Sequence, residues 1–295
     1  MKEGKPSRTA EINAIFRTVE SMRPHDERVC DDPLAQYFMR TKFRAITKSP
    51  FLTRIVFWLF AERVFPNPIG STVTHTRFID DYLKERIENG IGQLVILGAG
   101  YDTRPYRFEE LKRKARVFEV DHPDTQKVKT QRLKKLFGSL PDYVVYVPID
   151  FAKEKPGERL LESGYDGNLK TLFIWEGVTP YLTAEAVDET LAFVVNNSGE
   201  GSSIIFNYVY KSVVDGTSES EGAKKHQEMQ RKMGELFTFG VDEGTIDDFL
   251  SRRGFYQIKN ATPEFLKTTY FRGAGQKRKV LPYLPIVHAM VKPRG

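Results

Sequence analysis

Residues Leu94 to Arg107 read LVILGAGYDTRPYR, and the fold is decided there. Leu94, Val95, Ile96 and Leu97 form an unbroken apolar run, the pattern of a parallel strand covered on both faces. The run breaks at once into Gly98-Ala99-Gly100, so a strand feeds a glycine turn. Neither glycine carries a Cβ to keep a ligand away from the backbone. The next apolar stretch, Arg116 to Asp121 (RVFEVD), reads as a second strand whose terminal acid lies 21 residues after Gly100 (121 minus 100).

An acid at that distance suits the ribose hydroxyls of either a dinucleotide or S-adenosylmethionine. A pyrophosphate binder calls for a third glycine in the turn, where this chain has Thr103. Asp102, inside the turn, would repel pyrophosphate but suits a ligand with a cationic methionine portion. The turn is therefore read as binding the methyl donor S-adenosylmethionine.

Outward from the turn, strand and helix alternate. Thr125 to Phe137 is helical, Tyr143 to Ile149 is a strand ending in Asp150-Phe151, and Thr171 to Trp175 is a strand ending in Glu176-Gly177. Thr183 caps a helix over Ala184 to Asn196, and Ser202 to Tyr210 closes the parallel set. The pattern predicts a doubly wound α/β sheet. Upstream, four helices are expected as a cap on its ligand edge. The first is capped by Ser7 or Thr9 and ended by Pro24, and the second starts at Asp31-Asp32-Pro33. The third is the apolar segment Phe51 to Phe65, broken by Pro66-Asn67-Pro68, and the fourth runs from about Ser71 to Glu88. Downstream, residues 211–245 are polar and glycine-bearing, as a mobile lid would be. A helix over Asp242 to Arg252 and strands over Gly254 to Asn260 and Pro285 to Val291 complete one domain. It divides into a cap (1–90), a donor-binding core (91–210), a lid (211–250) and C-terminal strands (251–295).

The 295 residues are 40% hydrophobic and 28% charged, which excludes a disordered or fibrous chain. The net charge of +6 is spread among 39 acids without a cationic block, so no nucleic-acid partner is expected. One cysteine, Cys30, excludes an intrachain disulfide or a cysteine-based metal cluster and points to a reducing compartment. The N-terminus lacks the apolar core of a secretory signal, so a cytoplasmic location is expected. The segment 51–65 carries Arg54, Glu62 and Arg63 and is too short to cross a bilayer; Phe57, Trp58 and Phe60 suit a pocket wall.

The motifs VESMRPHDERVCDDP (19–33), THTRFIDDYL (74–83), LGAGYDTRPYR (97–107), FEVDHP (118–123), PIDF (148–151) and WEGVTPYL (175–182) follow one another in a known order and spacing. From about Thr9 to Tyr181 the chain resembles the leucine carboxyl methyltransferase family of S-adenosylmethionine-dependent O-methyltransferases, especially its bacterial and archaeal branch. The resemblance implies a seven-stranded, Rossmann-like sheet with an antiparallel last strand. It implies that Arg77 pairs with the donor's carboxylate, Gly98 and Gly100 approach the donor, and Asp121 takes the ribose hydroxyls, with Glu119 as the fallback. Asp150 would accept from the adenine amine, Phe151 would add an apolar contact, and Glu176 would face the methionine ammonium. Arg23 lies where the family places a basic residue from its N-terminal helices. Asp102, Thr103 and Arg104 shape the turn.

The acceptor implied is a carboxylate or hydroxyl of a small molecule or peptide. Base methylation relies on an Asn or Asp-Pro-Pro-aromatic turn after the fourth strand, where this chain reads EGVTPY. His75, His122, His226 and His288 are scattered, so no catalytic base is assigned. Tyr181 is the acceptor-side candidate, and no metal ligand set is present.

Overall fold

The computed structural model describes residues 6–40, 66–151, 154–220, 222–224, 227–228 and 236–293. The segment with Phe57, Trp58 and Phe60, and His226, lie outside the described residues.

Seven strands form one sheet: β1 Gln93–Leu97, β2 Arg116–Asp121, β3 Val144–Pro148, β4 Thr171–Trp175, β5 Ser203–Asn207, β6 Phe255–Ala261 and β7 Ile286–Val291. Their order is β3-β2-β1-β4-β5-β7-β6. β1 to β5 run parallel, whereas β7 lies antiparallel between β5 and β6. The doubly wound sheet expected from the strand–helix alternation is therefore observed, and so are the seven strands and reversed last strand that the family resemblance implies. All five residues of β1 are buried. Val95 and Leu97 pack on one face with Phe118, Trp175 and Leu191, while Leu94 and Ile96 pack on the other with Ile79 and Leu83. That double coverage explains why the strand has no polar alternation.

Helix α1, Arg8–Ser21, starts at Ser7, whose hydroxyl accepts from Ala10 N at 3.1 Å. The helix expected after Asp31-Asp32-Pro33 is instead a single 3-10 turn, Ala35–Phe38, and Met39 is extended. Asp32 does cap this turn, its Oδ1 accepting from Ala35 N at 3.1 Å, and it also pairs with Arg17 and Arg107. Helix α2 spans Pro66–Glu88, so Pro66-Asn67-Pro68 lies inside this helix, whose start the sequence places at about Ser71; the expected helix 51–65 lies outside the described residues. Proline costs little in a first turn, where the amide it lacks would have had no intrahelical partner. Helices α3 Pro123–Phe137, α4 Pro156–Glu162 and α5 Ala184–Asn196 follow β2, β3 and β4, and α6 Pro263–Tyr270 follows β6. No described helix is long and apolar enough to cross a membrane.

Candidate active site

At the carboxyl ends of β1, β2 and β4, where the strand order reverses, lies a cavity of about 760 Å³. Its floor is the glycine turn. Gly98 and Gly100 sit at φ 70° and 44°, a region open to glycine. The Gly98 and Ala99 amides donate to Val120 O at 2.8 and 3.0 Å, which ties the turn to β2. A Cβ on Gly98 would meet Val178 Cγ2 at 2.2 Å, and one on Gly100 would meet Ala10 Cβ at 3.2 Å. Both glycines line the cavity, yet the space they leave is taken by the loop after β4 and by α1.

Asp121 also lines the cavity. Its Oδ2 accepts from Gly100 N at 2.6 Å and its Oδ1 from His122 N at 2.7 Å. Burial nonetheless pushes its pKa above the ordinary carboxylate value, against those two amides and Lys129. Glu119 is not part of the wall; it is fully buried against Lys129 and Tyr106. Asp150, Phe151 and Glu176 do line the cavity, as does Tyr181, whose ring packs on Phe237 with centroids 5.4 Å apart.

Two arginines singled out in the sequence stand elsewhere. Arg77 is half-exposed, with Nε 2.8 Å from Asp81 Oδ1 and its guanidinium over the Tyr270 ring. Arg23 pairs with Glu20 at 3.2 Å. Neither lines the cavity: Arg77 is held at the surface by Asp81, and Arg23 by the buried Glu20. Arg17 takes that position instead. From α1 it donates to Tyr101 O at 2.6 Å and pairs with Asp32 at 2.8 Å. Its signal in the sequence is the stripe Ala10, Asn13, Arg17, three cavity residues at helical spacing beside the apolar set. Of the histidines, His122 lines the cavity and caps α3, whereas His75 binds Leu284 O and His288 stacks on Tyr82.

Arg104 is buried and joins three acids: Asp80 at 2.7 Å, Asp102 at 2.6 Å and Glu176 at 3.1 Å. Burial pushes Asp102 up, but Arg104, Lys129, an amide and Arg17 together hold its carboxyl at about 2. Glu176 is shifted upward because burial and Asp102 outweigh Arg104. The turn motif thus has a structural task, tying the loops after β1 and β4 to α2. Among the described residues no three His, Cys, Asp or Glu are grouped to hold a metal ion.

Residues 10–195 match the family described as Leucine carboxyl methyltransferase. A Mycobacterium avium (strain 104) protein, whose name describes an S-adenosyl-L-methionine-dependent methyltransferase, is 30% identical over 277 residues, 90% of this chain and 84% of that one. This chain belongs to the leucine carboxyl methyltransferase family of S-adenosyl-L-methionine-dependent methyltransferases. Membership spans the cap, the glycine turn and the loop after β4, nearly the segment over which the sequence motifs run. A second relative of similar naming, YktD of Bacillus subtilis (strain 168), is 28% identical over 239 residues, 81% of this chain and 77% of that one. The leucine carboxyl methyltransferase fold is shared in outline with a crystal structure from Thermobifida fusca YX, described as a methyltransferase. It matches with a TM-score of 0.56 at 15% identity, over 99% of this chain and 97% of that one.

Proposed function

We propose that this family member transfers a methyl group from S-adenosyl-L-methionine to an oxygen, carboxylate or hydroxyl, of a small-molecule or peptide acceptor. The observation that carries the reading is Asp121. Two backbone amides fix its carboxylate at the cavity wall, and each oxygen keeps a lone pair for a ligand hydroxyl. The rest of the wall fits the same ligand. Asp150 and Phe151 would take an adenine by its amine and its face, Glu176 would meet an ammonium, and Arg17 would take over from Arg77 the pairing with a carboxylate. Bound there, the donor supplies an electrophilic methyl on a sulfonium.

The chain's own residues then align and enclose. Leu236 lines the cavity beside Tyr181, and the residues after it are anchored there: Phe237 packs on Tyr181, and Thr238 N and Phe239 N donate to Pro180 O at 2.7 and 3.2 Å. This is the anchored end of the proposed lid. Excluding water there serves a reaction that needs orientation more than acid catalysis. A carboxylate acceptor needs no base, and Tyr181 would orient a hydroxyl acceptor.

The test is radiolabelled donor incubated with metabolite extract, protein extract and total RNA. Label in the first two fractions, released as volatile methanol by mild alkali if an ester or retained if an ether, is the expected result. Label in RNA alone would overturn the oxygen-acceptor reading.

A further inference from the structure

A lysine and a glutamate are buried together beside the glycine turn, outside the cavity wall. Lys129 of α3 and Glu119 of β2 have side chains 1% and 0% exposed, with Nζ 2.9 Å from Glu119 Oε1. The same Nζ donates to the Ala99 carbonyl at 3.4 Å. Tyr106 OH donates to Glu119 Oε1 at 2.9 Å and meets Tyr146 OH at 3.1 Å. Well-packed apolar residues often replace a buried ion pair without loss of stability, because desolvation offsets most of the attraction. The position of this pair gives it another task.

Ala99 O and Gly100 N belong to one peptide group. Its oxygen accepts from the Asp102 amide at 2.8 Å and from Lys129 Nζ at 3.4 Å, and Asp121 Oδ2 receives its N–H at 2.6 Å. In a planar trans peptide the two point in opposite directions, so a pull on the oxygen aims the N–H at the carboxylate. We infer that the buried Glu119–Lys129 pair positions the donor site by fixing the Ala99–Gly100 peptide, and through it the Asp121 carboxylate. This inference rests on the donor-site reading above. Both are positioning residues, since neither lines the cavity.

The groups facing Glu119 are Lys129 of α3, Tyr106 of the short helix Arg104–Arg107, Tyr146 of β3 and, through space, Asp102 of the turn and Tyr143 just before β3. Burial lifts its carboxyl to about 6, against Lys129 and Tyr106. Protonation below that value removes the charge opposite Lys129 and leaves only a neutral acceptor to hold Nζ under Ala99.

The experiment is calorimetric binding of S-adenosylhomocysteine to the full chain from about pH 7.5 down to about pH 5. The variants are Glu119→Leu/Lys129→Met, which keeps the volume and removes both charges, and Glu119→Gln. The double variant should melt near the wild-type temperature yet bind roughly tenfold more weakly, as loss of a charge-assisted bond implies. Wild-type affinity should fall as the pH drops through about 6, and Glu119→Gln should be weaker at neutral pH with a smaller fall. Wild-type affinity in a folded double variant would overturn the inference. So would an unchanged pH profile in Glu119→Gln, a result that stands even if the double variant does not fold. Absence of binding by the wild type would instead bring down the donor-site reading, and the inference with it.

Discussion

Asp121 keeps a lone pair on each oxygen after accepting from Gly100 and His122, and that remainder is what a ribose diol would use. Asp121→Ala should therefore weaken S-adenosylhomocysteine binding by about 1.5–3 kcal/mol, measured by calorimetry. An unchanged dissociation constant in the folded variant would move the ribose elsewhere. The arginines separate in the same assay. Arg17→Ala should lose affinity substantially, because its guanidinium is at the cavity. Arg77→Ala should leave affinity within about twofold and stability within about 1 kcal/mol, as exposed i,i+4 ion pairs do. The opposite ranking would restore Arg77 to the carboxylate. Asp121 was legible because an acid closing the second strand has its position set by strand length and turn alone. That Arg77 stands off the cavity was not legible, because sequence gives a helical residue its neighbours along the helix, but not which of them it pairs with. Arg17 was not legible either, because its stripe lies beside the stronger apolar signal of Ile12, Ile15, Phe16 and Val19.

Among the elements, the glycine turn and the loop after β4 behave as one part. Val178 occupies the place of a Gly98 side chain, and Arg104 bonds both Asp102 of the turn and Glu176 of the loop. Gly98→Ala should cost roughly 1–3 kcal/mol from backbone strain alone, with the clash on Val178 added. Thermal unfolding would show a drop of several degrees or more; a melting temperature equal to wild type would mean the loop yields freely. The strands were legible as elements because each is an apolar run bounded by turn chemistry. The opening of α2 was not, since Pro-Asn-Pro marks a helix start or a helix end equally well until its neighbours are seen. The second cap helix failed for another reason: Asp32 does cap Ala35 N, but the chain turns extended at Met39 after a single 3-10 turn.

For the whole molecule, two histidines, the buried His75 and the half-buried His288, shape the acid response. Burial holds His75 at about 4, and burial with Lys259 and Arg86 does the same for His288, against 6.5 for a free imidazole. Between those values the unfolded chain binds more protons than the folded one, so their contribution is full above 6.5 and is lost as the pH falls toward 4. Relative to wild type, His75→Gln/His288→Gln should show a shallower loss of stability across that window in urea titrations at several pH values. Parallel curves would mean that both rings protonate in place. Neither ring's burial was legible, because a histidine among apolar residues reads the same whether it is packed or exposed.

The strand order carries a consequence for how the chain is made. β6 precedes β7 in sequence, yet β7 is its sole neighbour in the sheet and separates it from β5. A ribosome delivers β1 to β5 first, so every parallel pair of the sheet is available before β6 and β7 emerge. β6 leaves the ribosome before the strand it pairs with, and gains its ladder once β7 follows and lies between it and β5. The parallel half of the sheet is thus complete in the order of translation, whereas its antiparallel edge depends on the last strand of the sheet to emerge.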